Sequence, residues 1–145
     1  SGYGFGCGVF KLAHAKDDML TGKQVWKSKA LKNKFQTPVL YKGNLYTSDE
    51  QMLKCVDFNT GDIRWRKGES LFSRMKHGTT LIADGYLFVL SETGELQLAR
   101  ASPKGYQPIA KEKILEGRCW TAPVLINGRL YVRSHTKAVC FDMSR

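Results

Sequence analysis

Apolar and polar residues alternate along this chain in short runs, and turn-forming residues interrupt them at regular intervals. The segment Thr37-Pro38-Val39-Leu40-Tyr41-Lys42-Gly43-Asn44-Leu45-Tyr46 is an apolar run, a two-residue turn ending in glycine and a second apolar run. The same arrangement returns at 80–89, around Asp84-Gly85, and at 122–132, around Asn127-Gly128. Asp-Gly and Asn-Gly between apolar runs are strong hairpin signals, because both residues tolerate positive φ. The turn glycines Gly43, Gly85 and Gly128 are 42 and 43 residues apart.

A second hairpin pattern lies between these. In Cys55-Val56-Asp57-Phe58-Asn59-Thr60-Gly61-Asp62-Ile63-Arg64-Trp65, Val56 and Phe58 are strand formers and Asn59-Thr60-Gly61 is turn chemistry. Ile63 and Trp65 then alternate with Asp62, Arg64 and Arg66, the period-2 signature of a half-buried strand. The spacing Asp57, Thr60, Gly61, Trp65 recurs upstream as Asp18, Thr21, Gly22, Trp26, with the tryptophans 39 residues apart. A period of about 40–45 residues with several strands per repeat predicts an all-β fold of propeller blades, each a four-stranded antiparallel sheet.

The strands can be placed. One blade is expected at about 36–67, with strands near 37–41, 45–49, 52–58 and 62–66, and a second at 78–115, with strands near 79–83, 86–91, 95–100 and 108–114. An incomplete last blade covers 120–145, with strands near 121–126, 130–134 and 138–142. Residues 1–28 read as the end of an earlier blade, with strands near 8–14 and 23–27. Cys55 and Cys140 each follow their turn glycine by 12 residues, and Asp57 and Asp142 each follow their Cys by two. The middle blade departs from this: Gln97 fills the Cys position, and 101–108 lacks Thr-Gly and Trp, so its own Asp and Trp docking contacts are expected to be missing.

Composition narrows the function classes. The chain has 145 residues, enough for a domain with its own core. No apolar run approaches the roughly 20 residues that cross a bilayer. The opening Ser1-Gly2-Tyr3-Gly4-Phe5-Gly6 lacks the basic and apolar regions of a signal peptide and starts mid-pattern, as a fragment does. The net charge of +10 permits contact with nucleic acid, anionic membranes or acidic polymers. No run of five basic residues, RNA-binding aromatic signature or zinc-finger spacing accompanies it, so nucleic acid is not the expected partner. Cys7, Cys55, Cys119 and Cys140 form no C-x-x-C; core thiols are expected, with disulfides left open. His14, His77 and His135 are too dispersed for a metal motif, and no nucleophile elbow or phosphate loop is present. The acidic pairs Asp17-Asp18 and Asp49-Glu50 fall at expected turns and read as solvated loops.

The Asp-x-x-Thr-Gly-x-x-x-Trp spacing resembles the docking motif of PQQ-like β-propeller repeats, including those of the outer-membrane assembly lipoprotein and of quinoprotein dehydrogenases. The stretches Lys34-Phe35-Gln36-Thr37-Pro38-Val39-Leu40 and Leu130-Tyr131-Val132-Arg133 resemble the C-terminal blades of bacterial exported members. The resemblance implies that Asp18 and Asp57 cap turn N–H groups, that Thr21-Gly22 and Thr60-Gly61 form the turns, and that Trp26 and Trp65 cover seams between blades. It also implies an extracytoplasmic or periplasmic location. About three blades do not close a ring of four to eight, so the remaining blades of a larger propeller are the expected partners.

No catalytic constellation is present. The leading expectation is a non-catalytic binding or scaffolding module for a protein or small ligand. A fragment of a quinoprotein oxidoreductase, using PQQ with Ca²⁺, is the second, although the adjacent Cys pair common in those enzymes is missing; a polyanion-binding surface is the third. Antiparallel order puts the loop after each blade's second strand and the loop after its fourth on one face. On that face Arg74, His77, Arg118 and Trp120 are the candidate contact residues, Arg and Trp being favoured hot-spot types. Trp120 can equally start a strand and pack between blades.

Overall fold

The computed structural model describes residues 4–15, 19–49, 52–67 and 77–144. Asp18, Arg74, Asp17 and Glu50 lie outside the described residues. Four antiparallel sheets follow one another along the chain, and no helix occurs among the described residues. The first contains β1 (Cys7–His14) and β2 (Leu20–Ser28); the second β3 (Val39–Tyr41), β4 (Asn44–Asp49), β5 (Met52–Asp57) and β6 (Ile63–Lys67). The third contains β7 (Thr79–Ala83), β8 (Tyr86–Leu90), β9 (Glu95–Arg100) and β10 (Gln107–Lys113); the fourth β11 (Val124–Ile126), β12 (Arg129–Arg133) and β13 (Ala138–Asp142). Within each sheet, strands adjacent in sequence are adjacent in space.

Local turn chemistry sets these hairpins. Lys42, Asp84 and Asn127 have φ of 45°, 48° and 48°, and each precedes a glycine that is also at positive φ. Two consecutive positive φ values match the right-handed twist of the flanking strands. The residue after each third strand closes over its hairpin: Phe58, Ala101 and Met143 donate N–H to the carbonyls of Gly43, Gly85 and Gly128 at 3.0, 2.9 and 2.7 Å.

Alternation along the strands builds the core as three seams. Tyr46, Leu53 and Cys55 of the second sheet pack on Leu87, Val89 and Ala99 of the third. Phe88 and Leu90, on the opposite face of β8, pack on Leu130 and Val132 of the fourth. Val56 and Leu45 pack with Ala30, Leu31 and Cys7. Each fully buried Leu or Val contributes about 2 kcal/mol. Burial pushes the Cys55 thiol up to about 11 and raises the Tyr46 phenol beyond its ordinary range.

Tryptophans stitch the seams. Trp26 Nε1 donates to the Phe58 carbonyl at 2.8 Å, and Trp65 Nε1 to the Ser102 carbonyl at 2.7 Å. Gly61, at φ 79°, lies beneath Trp26, and a Cβ there would be 2.8 Å from Trp26 Cε3. Asp57 Oδ1 accepts N–H from Asn59 and Thr60, and Arg64 donates to its Oδ2 at 2.5 Å. That guanidinium, followed by the turn N–H groups, holds the Asp57 carboxyl below the usual range.

Several sequence expectations need correction. Tyr46 pairs with Cys55 and Tyr131 with Cys140, but Phe88 pairs with Leu98. One additional residue between β8 and β9 shifts the register, so Leu98, not Gln97, stands at the Cys position. Gln97 turns to the other face, where its Oε1 accepts the Tyr106 hydroxyl at 2.5 Å. Although 101–108 lacks Thr-Gly, Ser102 receives the Trp65 indole, and Tyr106 packs on that ring with centroids 6.0 Å apart. Asp49 is not solvated: its side chain is 2% exposed and paired with Lys54 at 2.5 Å. All four cysteines are free; Cys55 and Cys119 are core thiols, Cys7 is half-buried, and Cys140 is exposed because no sheet covers its face among the described residues. Thr21 and Gly22 do not form a turn. They lie inside β2, opposite Ala13 and Leu12, because the ladder with β1 satisfies their backbone and the turn falls before Leu20.

Candidate functional site

The first strands β3, β7 and β11 each form one edge of their sheet, and β7 lies against both β3 and β4. The sheets therefore converge on their first-strand edges. The segments leading into these strands, 29–38 and 114–123, cross the converging end and are pinned there by hydrogen bonds.

The first segment is held by a buried polar network. Lys32 N–H donates to Asp49 Oδ2 at 3.0 Å, and Lys54 Nζ donates to the Ala30 carbonyl at 2.8 Å. Asn33 Nδ2 donates to the Ser48 carbonyl at 3.0 Å and also to Thr47 Oγ1, while Gln36 Nε2 donates to the same Ser48 carbonyl. The second segment folds around a hinge glycine. Ile114 and Leu115 N–H both point to the Gly94 carbonyl, at 3.0 and 3.2 Å, and Cys119 N–H reaches the Glu92 carbonyl at 2.8 Å. Arg118 N–H donates to His135 Nδ1 at 3.1 Å, and His135 N–H donates back to the Arg118 carbonyl at 3.0 Å. A Cβ at Gly117 would be 2.5 Å from His135 Cε1, so this close approach requires glycine.

Held this way, three aromatic rings meet. The Phe35 and His77 centroids are 5.0 Å apart, edge to face, and Phe35 and Trp120 stack at 5.3 Å. His77 lies 6.3 Å from Trp120, again edge on, and His77 N–H donates to Glu92 Oε2 at 3.2 Å. The Arg118 guanidinium lies 4.6 Å from the centroid of the Trp120 ring. Phe35 and Trp120 remain 55% and 42% exposed. Such cation–π and aromatic contacts contribute about 0.5–1.5 kcal/mol each.

Two clefts flank the cluster. One, of about 450 Å³, is bordered by Phe35, Pro38, Leu40, Thr80, Trp120 and Ala122, the leading residues of three first strands. The other, of about 570 Å³, is polar, bordered by Glu92, Lys113, Glu116, Arg118 and His135. Lys113 Nζ is 3.3 Å from Glu116 and donates to the Thr93 carbonyl at 2.6 Å. Among the described residues no group of three His, Cys, Asp or Glu is placed to hold a metal ion. Exposed rings beside a guanidinium suit contact with a partner rather than bond cleavage.

Three of the four sequence candidates for the contact face, His77, Arg118 and Trp120, come together here. Trp120 precedes β11 and does not start the strand. Sequence reasoning missed Phe35. The signal was present: Phe35, His77 and Trp120 each precede their turn glycine, Gly43, Gly85 or Gly128, by eight residues. The cluster is one position of the repeat, filled by a ring in each of three copies.

A scan against protein-family models finds no match to this chain, and no curated protein matches it. Among solved structures, BamB from Moraxella catarrhalis, a β-propeller, is similar with a TM-score of 0.61 at 21% identity, covering 82% of this chain and 34% of that one. The computationally designed Ika8 protein is similar with a TM-score of 0.61 at 11% identity, covering 92% of this chain and 43% of that one. The chain thus spans about a third of the length of BamB. Four antiparallel sheets stacked face to face, together with this likeness, give the chain a propeller-blade fold.

Proposed function

We propose that this chain is a non-catalytic segment of a PQQ-like propeller that acts as a binding or scaffolding module for a protein partner. The observation that carries the reading is the ring cluster Phe35, His77 and Trp120, capped by Arg118 and left partly open to solvent. A core cluster would be sealed. This one stands at the converging end of three blades, beside a cleft of about 450 Å³. The blade units are 36–67, 78–115 and 120–145, preceded by the end of another at 1–28. They belong to a larger ring whose remaining blades cover the apolar outer faces of the first and fourth sheets. The likeness to BamB, a binding propeller, agrees with a module of this kind, and the resemblance to exported repeats agrees with an extracytoplasmic setting. No helix of the described residues is long and apolar enough to cross a membrane.

The test selects a displayed library of 12-residue peptides against the folded chain and maps the binders by amide chemical shifts. Shifts centred on Phe35, His77, Arg118 and Trp120, with about tenfold weaker binding to Arg118→Glu and Trp120→Ala, are expected. Binders that map to the exposed fourth strands β6 and β10 would overturn the reading. Saturable uptake of PQQ that requires Ca²⁺ would assign the segment to a quinoprotein enzyme.

A further inference from the structure

The exposed face of the fourth sheet repeats the chemistry of a buried one. Tyr46 and Cys55 are cross-strand partners on β4 and β5, both fully buried against the third sheet. Tyr131 and Cys140 are cross-strand partners at the same places on β12 and β13, yet Tyr131 is 42% exposed and Cys140 is exposed. Val124 and Ile126 of the same sheet are also open to solvent. The opposite face of the sheet is fully used: Leu130 and Val132 are buried against the third sheet. Contiguous exposed apolar area of this kind marks an interaction surface.

The internal seams show what such a face takes. The sheet that receives Tyr46 and Cys55 presents Leu87 and Val89, two and four residues after Gly85. The sheet that receives Phe88 presents Leu130 and Val132, two and four residues after Gly128. In both cases a Leu-x-Val on the second strand of the incoming sheet fills the seam.

We infer that the Tyr131–Cys140 face is an unfilled seam that seats a further four-stranded blade of the same ring, carrying Leu-x-Val on its second strand. This rests on the larger-ring reading above and adds the chemistry of the contact. A second copy of this chain does not fit. Its free end sheet, β1 and β2, corresponds to third and fourth strands and offers Phe10, Leu12, Leu20 and Val25 instead of a Leu-x-Val strand. Two chains of net charge +10 also repel one another.

The repeat register supplies a direct test. Asp142 and Asp57 are equivalent, pairing with Arg129 and Asn44, the residues that follow the turn glycines. A chain in which residues 58–115 are appended after Asp142 therefore gains a fourth strand and a copy of the Leu87–Val89 blade in register. Iodoacetamide labelling of the native protein, read by mass spectrometry, is expected to slow at Cys140 by about tenfold or more relative to the unextended chain. Unchanged labelling in a folded extended chain overturns the seam chemistry but leaves the larger ring standing, with a different contact. An extended chain that does not fold also counts against the inference, because the register match has then failed. In the unextended chain, Tyr131→Lys should leave the melting temperature within about 2 °C of the parent, while Tyr46→Lys should unfold it. Equal damage from the two substitutions would mean the face is already covered within the chain, and the larger-ring reading would fall too. A stable dimer by light scattering that Tyr131→Lys dissociates would give the face to a second copy and overturn the inference.

Discussion

Gly61→Ala isolates the seam between the first two sheets. Gly61 has φ 79°, where an alanine is strained by about 1–2 kcal/mol, partly offset by about 0.5 kcal/mol through the stiffer unfolded chain. The new methyl would also stand 2.8 Å from Trp26 Cε3 and 3.0 Å from Cδ2 and Cζ3. The ring must retreat by about 0.7 Å to reach ordinary contact, which stretches the 2.8 Å bond from Trp26 Nε1 to the Phe58 carbonyl. Weakening that bond costs about 1 kcal/mol, and lost ring contact adds a similar amount. The expected total is about 2–3 kcal/mol. In a Trp26→Ala background the clash vanishes and only the backbone strain of about 1 kcal/mol remains. Urea unfolding followed by circular dichroism on the four proteins of the cycle should therefore give a coupling of about 1–2 kcal/mol. Equal costs of Gly61→Ala in both backgrounds, within about 0.3 kcal/mol, would refute the idea that this glycine exists to admit the tryptophan.

Other parts of the structure are open to similar measurements. Lys54→Met leaves the Asp49 carboxylate buried without its cation and should cost about 3 kcal/mol, read by urea midpoint, whereas adding Asp49→Asn should recover part of the loss. Trp65→Phe keeps the ring between Tyr46 and Tyr106 but removes the donor to Ser102, for an expected loss of about 1 kcal/mol in the same assay. The folded Asp57 carboxyl lies below its ordinary value, so its contribution is present above about pH 4 and is lost as pH falls through the depressed value. Urea midpoints from about pH 5 down to pH 2 should decline less steeply in Arg64→Ala, which removes the largest cause of the depression.

What could be read from the sequence was what neighbours along the chain decide. Asp84-Gly85 and Asn127-Gly128 form their turns through their own backbone preferences, and the strands beside them follow from alternation. What stayed hidden depends on partners far along the chain. Asp49 looks like a turn residue until Lys32 and Lys54 are brought to it. Counting from Gly85 assigns Gln97 to the seam, but one added residue between β8 and β9 puts Leu98 there. Thr21-Gly22 carries turn chemistry, yet pairing with β1 outweighs it. At the contact cluster, Arg118 and Trp120 stood out by residue type. Phe35 did not, because its role depends on a repeat position whose spatial meaning appears only when three blades converge.

The packing of the blades is tested most directly by timing the reaction of the four native thiols with iodoacetamide. Cys140, on the open face, should label first and Cys7 more slowly, while Cys55 and Cys119, sealed in the seams and held protonated by burial, should stay unlabelled until the protein unfolds. Labelling of Cys55 as fast as that of Cys140 would contradict the stacked-blade arrangement.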